Sequence, residues 1–275
     1  MKPTPLFRFP SASILCLAAI TACTTGAGAV TIFSSDFTTD PSPNFVLGSG
    51  AALNTNGPGG SRAIELVDTS GTLASTAVLT PTVANGSPAF NTALPGQELL
   101  RLTADFAVTT LTAAGSNVNV PRIVLGNTAD PANLVHVGLG RTSGGNVILY
   151  AGKGDSSNPS DGATRVLLHN YGSYNTGDLA ANDTNDVYVT LTLTYSSATG
   201  AMTISATNGG VNGSGSFTGF SGFNNDNLTL SFVSGTSAQT TAYLDNVRLE
   251  TLPIPEPAAA LLGSMGLLGL LLRRR

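Results

Sequence analysis

Cysteine, tryptophan and charge are scarce in these 275 residues: two Cys, no Trp, and only 10% Asp, Glu, Lys or Arg. Two cysteines exclude the disulfide scaffold of a small secreted domain, which needs several pairs. The charged share lies well below the ~25% of an ordinary soluble chain. Net charge is −4, from 12 basic and 16 acidic residues, which excludes the basic face of a nucleic-acid binder. Long hydrophobic runs are also missing, since none reaches the ~18 residues of a clear membrane span. Disorder is excluded in turn by an apolar share of 41%. The length suits one large domain or two small ones with a sizeable core.

Both ends differ from the middle. Lys2 and Arg8 precede the apolar run Ile14-Leu15-Cys16-Leu17-Ala18-Ala19-Ile20, and Ala27-Gly28-Ala29 is a small-x-small site. That order predicts an export signal over residues 1–29, cleaved after Ala29. Ile20-Thr21-Ala22-Cys23 offers a competing reading, because it resembles the lipobox of bacterial lipoproteins, in which the Cys is acylated and becomes the first residue. Cleavage after Ala29 would remove both Cys16 and Cys23 and with them any thiol chemistry. At the other end, Pro253, Pro255 and Pro257 forbid regular structure. Residues 258–272 follow, apolar except for Ser264, and the chain ends Arg273-Arg274-Arg275. As a helix this run spans ~22 Å against a ~30 Å bilayer core, and flanking arginines can snorkel across part of the gap. A cationic end stays cytoplasmic, which places residues 30–252 outside.

The tail, residues 253–275, resembles the PEP-CTERM sorting signal of Gram-negative bacteria. The likeness rests on Pro255-Glu256-Pro257, the Ala/Leu/Gly run, and Arg273, Arg274 and Arg275. It implies an exosortase as partner, removal of the tail, transient anchoring in the inner membrane through the apolar helix, and delivery to the cell envelope or an extracellular polysaccharide matrix. The proline-rich motif would be bound as the extended segment it already favours.

Residues 30–252 carry seven basic and fifteen acidic residues, a net charge near −8. Val187, Val189, Leu191, Leu193 and Tyr195 alternate with Tyr188 and three threonines. After Ser196-Ser197-Ala198-Thr199-Gly200, Met202, Ile204 and Ala206 return in phase. This predicts a β-hairpin. Further strands are predicted over 63–67, 99–109, 123–125, 134–139, 147–151, 166–169, 228–233 and 242–249. No 3.6-residue period persists, so the expected fold is an all-β antiparallel sandwich. The strand order and spacing resemble concanavalin/laminin-G-like jelly rolls, chiefly through residues 187–207 and Tyr243-Leu244-Asp245-Asn246-Val247-Arg248-Leu249-Glu250.

Asp245 is the most informative single residue. If Tyr243, Val247 and Leu249 face the core, a period of two puts Asp245 on that face too, where an ionised carboxylate needs a partner. The jelly-roll resemblance implies a structural calcium held by Asp245 with Asp36 and Asp40. The competing reading is an Asp at a bulge, accepting backbone N–H bonds. Catalytic residues are not found. Glu65, Glu98 and Glu250 are scattered, with no E-x-D-x-E run, and His136 and His169 sit in strand-like sequence. Asn208-Gly209-Gly210 and Gly213-Ser214-Gly215 read as turns rather than phosphate cradles, because no helix follows. A glycan platform would use Tyr171 and Tyr174 in the loop His169-Asn170-Tyr171-Gly172-Ser173-Tyr174-Asn175. Against that, the two tyrosines can simply pack locally.

The sequence thus predicts an exported, non-enzymatic surface protein without a required cofactor, structural or adhesive and linked to extracellular polysaccharide. A lectin-like carbohydrate-binding module is the first alternative, and an inactive glycoside hydrolase relative the second.

Overall fold

A computed structural model of the chain describes residues 29–38, 45–55, 57–69, 75–112, 118–127, 129–154, 165–173, 188–234 and 239–254. The export segment up to residue 28, including Cys23, lies outside them. So do Asp40, Tyr174, Pro255, Glu256, Pro257 and Arg273, Arg274 and Arg275. Among the described residues no helix is long and apolar enough to cross a membrane.

The described strands are β1 (Val30–Ser35), β2 (Phe45–Leu47), β3 (Ala51–Asn54), β4 (Ala63–Asp68), β5 (Thr76–Leu79), β6 (Leu99–Thr112), β7 (Val118–Gly126) and β8 (Leu134–Arg141). They continue with β9 (Asn146–Lys153), β10 (Arg165–Ser173), β11 (Val189–Ser196), β12 (Ala201–Asn208), β13 (Val211–Thr218), β14 (Thr229–Val233) and β15 (Gln239–Leu252). All pair antiparallel in two sheets. The first runs β13-β12-β11-β6-β15-β4-β3, with β1 also on β15, and the second runs β10-β9-β8-β7-β14-β5-β2.

Alternation along each strand builds the core between the sheets. In β11 and β12, Leu191, Leu193, Tyr195, Met202, Ile204 and Ala206 are buried, while Thr190, Thr192 and Thr194 face outward. Leu100, Leu102 and Phe106 of β6 meet Ile123, Leu125 and Phe232 of the opposite sheet in one cluster, with Phe106 edge-on to Phe232 at 6.1 Å. A Leu→Ala change in such a core costs ~2–5 kcal/mol, so this interface carries much of the stability. The predicted hairpin is present, with Ser196 opposite Ala201.

Two local readings are corrected. Gly213-Ser214-Gly215 lies inside β13 rather than in a turn. The glycines are needed because β13 and β10 close the same side of the sandwich. A Cβ at Gly213 would stand 2.0 Å from the Leu168 carbonyl oxygen, and one at Gly215 would run into Val166. Likewise, His169 to Ser173 is not a loop but the end of β10, whose register slips twice.

β15 sets the frame for the site. It pairs with β6 along its length. Its other edge pairs with β4 over Thr240–Leu244 and then with β1 from Val247 onward. Between these stretches Asn246, at φ 47°, is an extra residue in the ladder. Asn tolerates this left-handed conformation better than other non-glycine residues, which suits it to a bulge.

Candidate functional site

The bulge corrects the expected face of Asp245. Leu244 and Ala242 point into the core, as do Val247 and Leu249 beyond the bulge. Tyr243 instead joins Ala63, Ala107 and Tyr188 on the outer face of the first sheet. Asp245 shares the face of Tyr243 but not that of Val247 and Leu249, because the extra residue inverts the alternation. It sits directly opposite Asp105 of β6.

Two carboxylates face each other here, Asp245 buried at 3% exposed and Asp105 half-buried. Asp245 Oδ1 accepts the Asn246 N–H at 2.7 Å. Asp105 accepts the Thr190 hydroxyl at 2.7 Å and the Asn246 side-chain amide at 2.8 Å, and Asn208 donates to Thr190 at 2.7 Å. Burial pushes the Asp245 carboxyl above its ordinary range. Bonds from the Asn246 N–H and the Ser61 hydroxyl pull the other way, and the charges of Asp105 and Asp36 add to the rise. Asp36 itself is exposed, and its carboxyl is lowered by bonds from the Thr38 N–H and hydroxyl. The geometry therefore contains the bulge and the backbone bond of the competing reading. Among the described residues no group of three or more His, Cys, Asp or Glu is placed to hold a metal ion, and Asp40 falls outside them.

Beside this cluster a groove of about 440 Å³ is lined by Pro58, Gly59, Asp105, Tyr188, Thr190, Asn208 and Gly209. Its polar groups are already engaged with each other. Tyr188 shares a 3.0 Å hydrogen bond with Ser61, and burial pushes its hydroxyl up to about 12.

The other sequence candidates are placed apart. Tyr171 is half-buried, packs against the core, and stands edge-on to His169 at 4.6 Å. His136 is buried on the outer side of the second sheet, edge-on to Tyr150 at 5.6 Å. Burial, with Arg122 nearby, lowers it to about 4, so it is neutral at pH 7. Each glutamate has its own structural role: Glu65 accepts the Tyr243 hydroxyl, Glu98 accepts the Gly96 and Ile254 N–H groups, and Glu250 pairs with Arg101 and Arg248.

A site that the sequence reading missed lies at the end of the sandwich where β11 stops. A cavity of about 470 Å³ is bordered there by Asn91, Thr92, Tyr195, Ser197, Phe220, Gly222, Phe223, Asn224 and Asn227 among others. Its loops are held firmly. Thr92 Oγ1 donates to the Phe223 carbonyl at 3.1 Å and accepts the Phe223 N–H at 2.9 Å. Asn225 accepts the Phe90 N–H and donates to the Pro81 and Pro88 carbonyls. Asn133 fixes Ser221 through two bonds, and Lys153 lies 4.6 Å from the centre of the Phe220 ring.

Tyr195 enters this cavity from the core face of β11. Its ring is edge-on to Phe223 at 5.0 Å, the residue is 2% exposed, and its hydroxyl has no hydrogen-bond partner among the described residues. Burial raises the pKa of that hydroxyl. Gly222, at φ +102°, keeps the approach open. A Cβ there would stand 3.5 Å from the Tyr195 hydroxyl and 3.2 Å from Thr92 Oγ1. The available signal was the run Asn224-Asn225-Asp226-Asn227 beside Gly222, which reads locally as a turn.

No protein-family model matches the chain, and no curated protein matches it in sequence. Solved structures do resemble it. The conserved carbohydrate esterase of Shiga toxin-encoding bacteriophage phi24B aligns with 82% of this chain and 100% of its own, at 14% identity and TM-score 0.51. The winged bean acidic lectin, solved with methyl-α-D-galactose, covers 82% of this chain and 98% of its own at 12% identity and TM-score 0.49. Arcelin-5, a lectin-like defence protein of Phaseolus vulgaris, covers 83% and 100% at 11% identity and TM-score 0.48. At such identities the likeness to the phage protein is one of fold alone, and it agrees with the two-sheet antiparallel sandwich.

Proposed function

We propose that this chain is a non-catalytic, lectin-like carbohydrate-binding protein whose ligand enters the end cavity beside Tyr195. The observation that carries the reading is the Tyr195 hydroxyl, the polar tip of an otherwise buried ring, which opens into a firmly held pocket of amides, hydroxyls and aromatic edges. Sugar sites combine these elements, because a pyranose offers both hydroxyls and an apolar face. The cavity volume falls within the ~300–1,000 Å³ of small-ligand pockets. No carboxylate lines the cavity among the described residues, which gives glycoside hydrolysis no acid and no nucleophile there.

The test is a glycan array probed with the full chain and with Tyr195→Phe. The expected result is saccharide binding that weakens when the hydroxyl is removed. Binding to no glycan would sink the proposal.

The export and sorting reading is part of the same proposal. The chain leaves the cytoplasm behind its signal, an exosortase processes the tail at Pro255-Glu256-Pro257, and the sandwich is displayed at the cell surface or in the polysaccharide matrix. Intact mass of the surface-released form tests this. Loss of residues 261–275 is expected, and their retention would overturn processing. A structural calcium at Asp245 is the companion proposal. It predicts a melting temperature that falls in excess chelator, and an unmoved melt would reject it.

A further inference from the structure

Resting on the carbohydrate reading of this cavity, we infer that it selects saccharides carrying an acetamido group over those with hydroxyls alone. The Asn91 side-chain oxygen accepts the Ala93 N–H at 2.9 Å. The Asn224 side-chain oxygen accepts the N–H groups of Asp226 and Asn227 at 2.8 and 3.1 Å. A backbone N–H can bond only to the oxygen end of a carboxamide, so these turns fix which end is which. The NH₂ groups of Asn91 and Asn224 are left over, and neither has a partner among the described residues. The two residues sit side by side, joined by an isolated β-bridge.

Acceptors are fewer. Thr92 Oγ1 is occupied by Phe223, and the Asn227 oxygen takes the Asn224 N–H. What the cavity offers without a partner among the described residues is therefore two adjacent amide NH₂ donors, with the Tyr195 and Ser197 hydroxyls able to donate or accept. A hexose hydroxyl that accepts from these NH₂ groups must place its own proton at the same atom. An acetamido group also keeps one donor, its N–H, but adds a carbonyl oxygen that carries no proton and has two lone pairs for the adjacent Asn91 and Asn224 NH₂ groups, and its methyl group suits the Phe220 and Phe223 ring edges. A uronate would also bring acceptors. Among the described residues its charge finds no Arg, Lys or His in the lining to meet it, however, and the 30–252 segment is near −8.

Isothermal titration of the full chain with N-acetylglucosamine, N-acetylgalactosamine, glucose, galactose and glucuronate tests the inference. An N-acetyl sugar should bind about three- to tenfold more tightly than its parent hexose, the worth of one well-made hydrogen bond. Asn91→Asp and Asn224→Asp keep the oxygen that closes each turn and replace the NH₂ donor with an acceptor. Each should abolish the preference with little change in melting temperature, and Tyr195→Phe should weaken binding about fivefold. Equal affinity for acetylated and parent sugars, or preference for glucuronate, would overturn the acetamido inference while leaving carbohydrate binding intact. A preference that survives both Asp variants would move it out of this cavity. Binding to none of the five sugars removes the inference, and the broader glycan array then decides whether carbohydrate binding falls with it.

Discussion

Asp245 and Glu250 lie on one strand and are 3% and 2% exposed, yet their surroundings shift them in opposite directions. Asp245 stands before the bulge, opposite Asp105, and is pushed up by burial and by neighbouring carboxylates. Glu250 stands after it, opposite Arg101. Burial pushes its carboxyl up as well, but the Arg101 and Arg248 guanidiniums outweigh that and hold it below its ordinary value. Burial raises both carboxyls, and the two guanidiniums beside Glu250, Arg101 across the ladder and Arg248 on its own strand, are what reverse its shift. A half of the strand with cations opposite is built for stability, and a half with a second carboxylate opposite holds unfavourable energy beside a groove.

The largest effect should come from disturbing alternation itself. Inserting an alanine between Arg248 and Leu249 turns Leu249 outward and Glu250 into the core. A loss of more than ~4 kcal/mol, or of cooperative melting, is expected. Deleting Asn246 should be far milder, about 1–2 kcal/mol, because it removes the extra residue and leaves Asp245 outward and Val247 inward as before. Equal damage from the two changes, read by thermal and urea melts, would break the account of the bulge.

Glu250→Gln comes next. The neutral amide can accept from one guanidinium only and turns an NH₂ toward the other. A loss of about 2 kcal/mol is expected, low in the range for charged hydrogen bonds because the arginines are 42% and 53% exposed. With its folded pKa lowered, Glu250 contributes fully above its ordinary 4.5 and loses that contribution as pH falls through the folded value. The gap between wild type and variant should therefore close only in that acid range.

Much of this fold was legible, and the limits have physical causes. The period-two pattern of β11 and β12 gave their core faces, because every second residue is large and apolar. It failed for β13, where the inward positions Gly213 and Gly215 carry no side chain to display a period. For Asp245 it gave the wrong face, since a single left-handed residue reverses the parity of everything before it, whereas the competing reading of an Asp at a bulge accepting a backbone N–H matches the structure. Tyr195 was legible as core but not as a cavity group. Its role depends on loops from residues 91–97 and 220–227 meeting across more than a hundred residues of sequence. Tyr171 was the reverse, conspicuous in sequence yet packed against the core.

Asn246 can be divided into backbone and side-chain contributions. Asn246→Gly removes the bond to Asp105 but keeps φ 47° accessible, whereas Asn246→Ala loses both. The alanine variant should be less stable than the glycine one by ~1 kcal/mol, the cost of a left-handed non-glycine residue. Equal stabilities would mean that the bulge is held by its partners and not by the residue within it.

Asp245→Asn should have the smallest effect and the opposite sign. It removes one of two facing charges, and the new side-chain oxygen can still accept the Asn246 N–H. With calcium chelated, a gain of about 0.5–1 kcal/mol at pH 7 is expected. The sign with pH follows from the raised carboxyl. The penalty for ionised Asp245 is full above its folded pKa, shrinks as pH falls through that value, and is gone below the ordinary 3.8. Wild type and variant should therefore converge on acidification without the wild type first losing stability at this position. The Glu250→Gln pair also converges, but there the wild type falls to meet its variant. A destabilised Asp245→Asn at pH 7 would mean that the charge is needed, as a bound cation would require. Repeating the melt with calcium and with chelator then separates a cation from a purely internal role, because only a cation makes the difference between the two proteins depend on calcium.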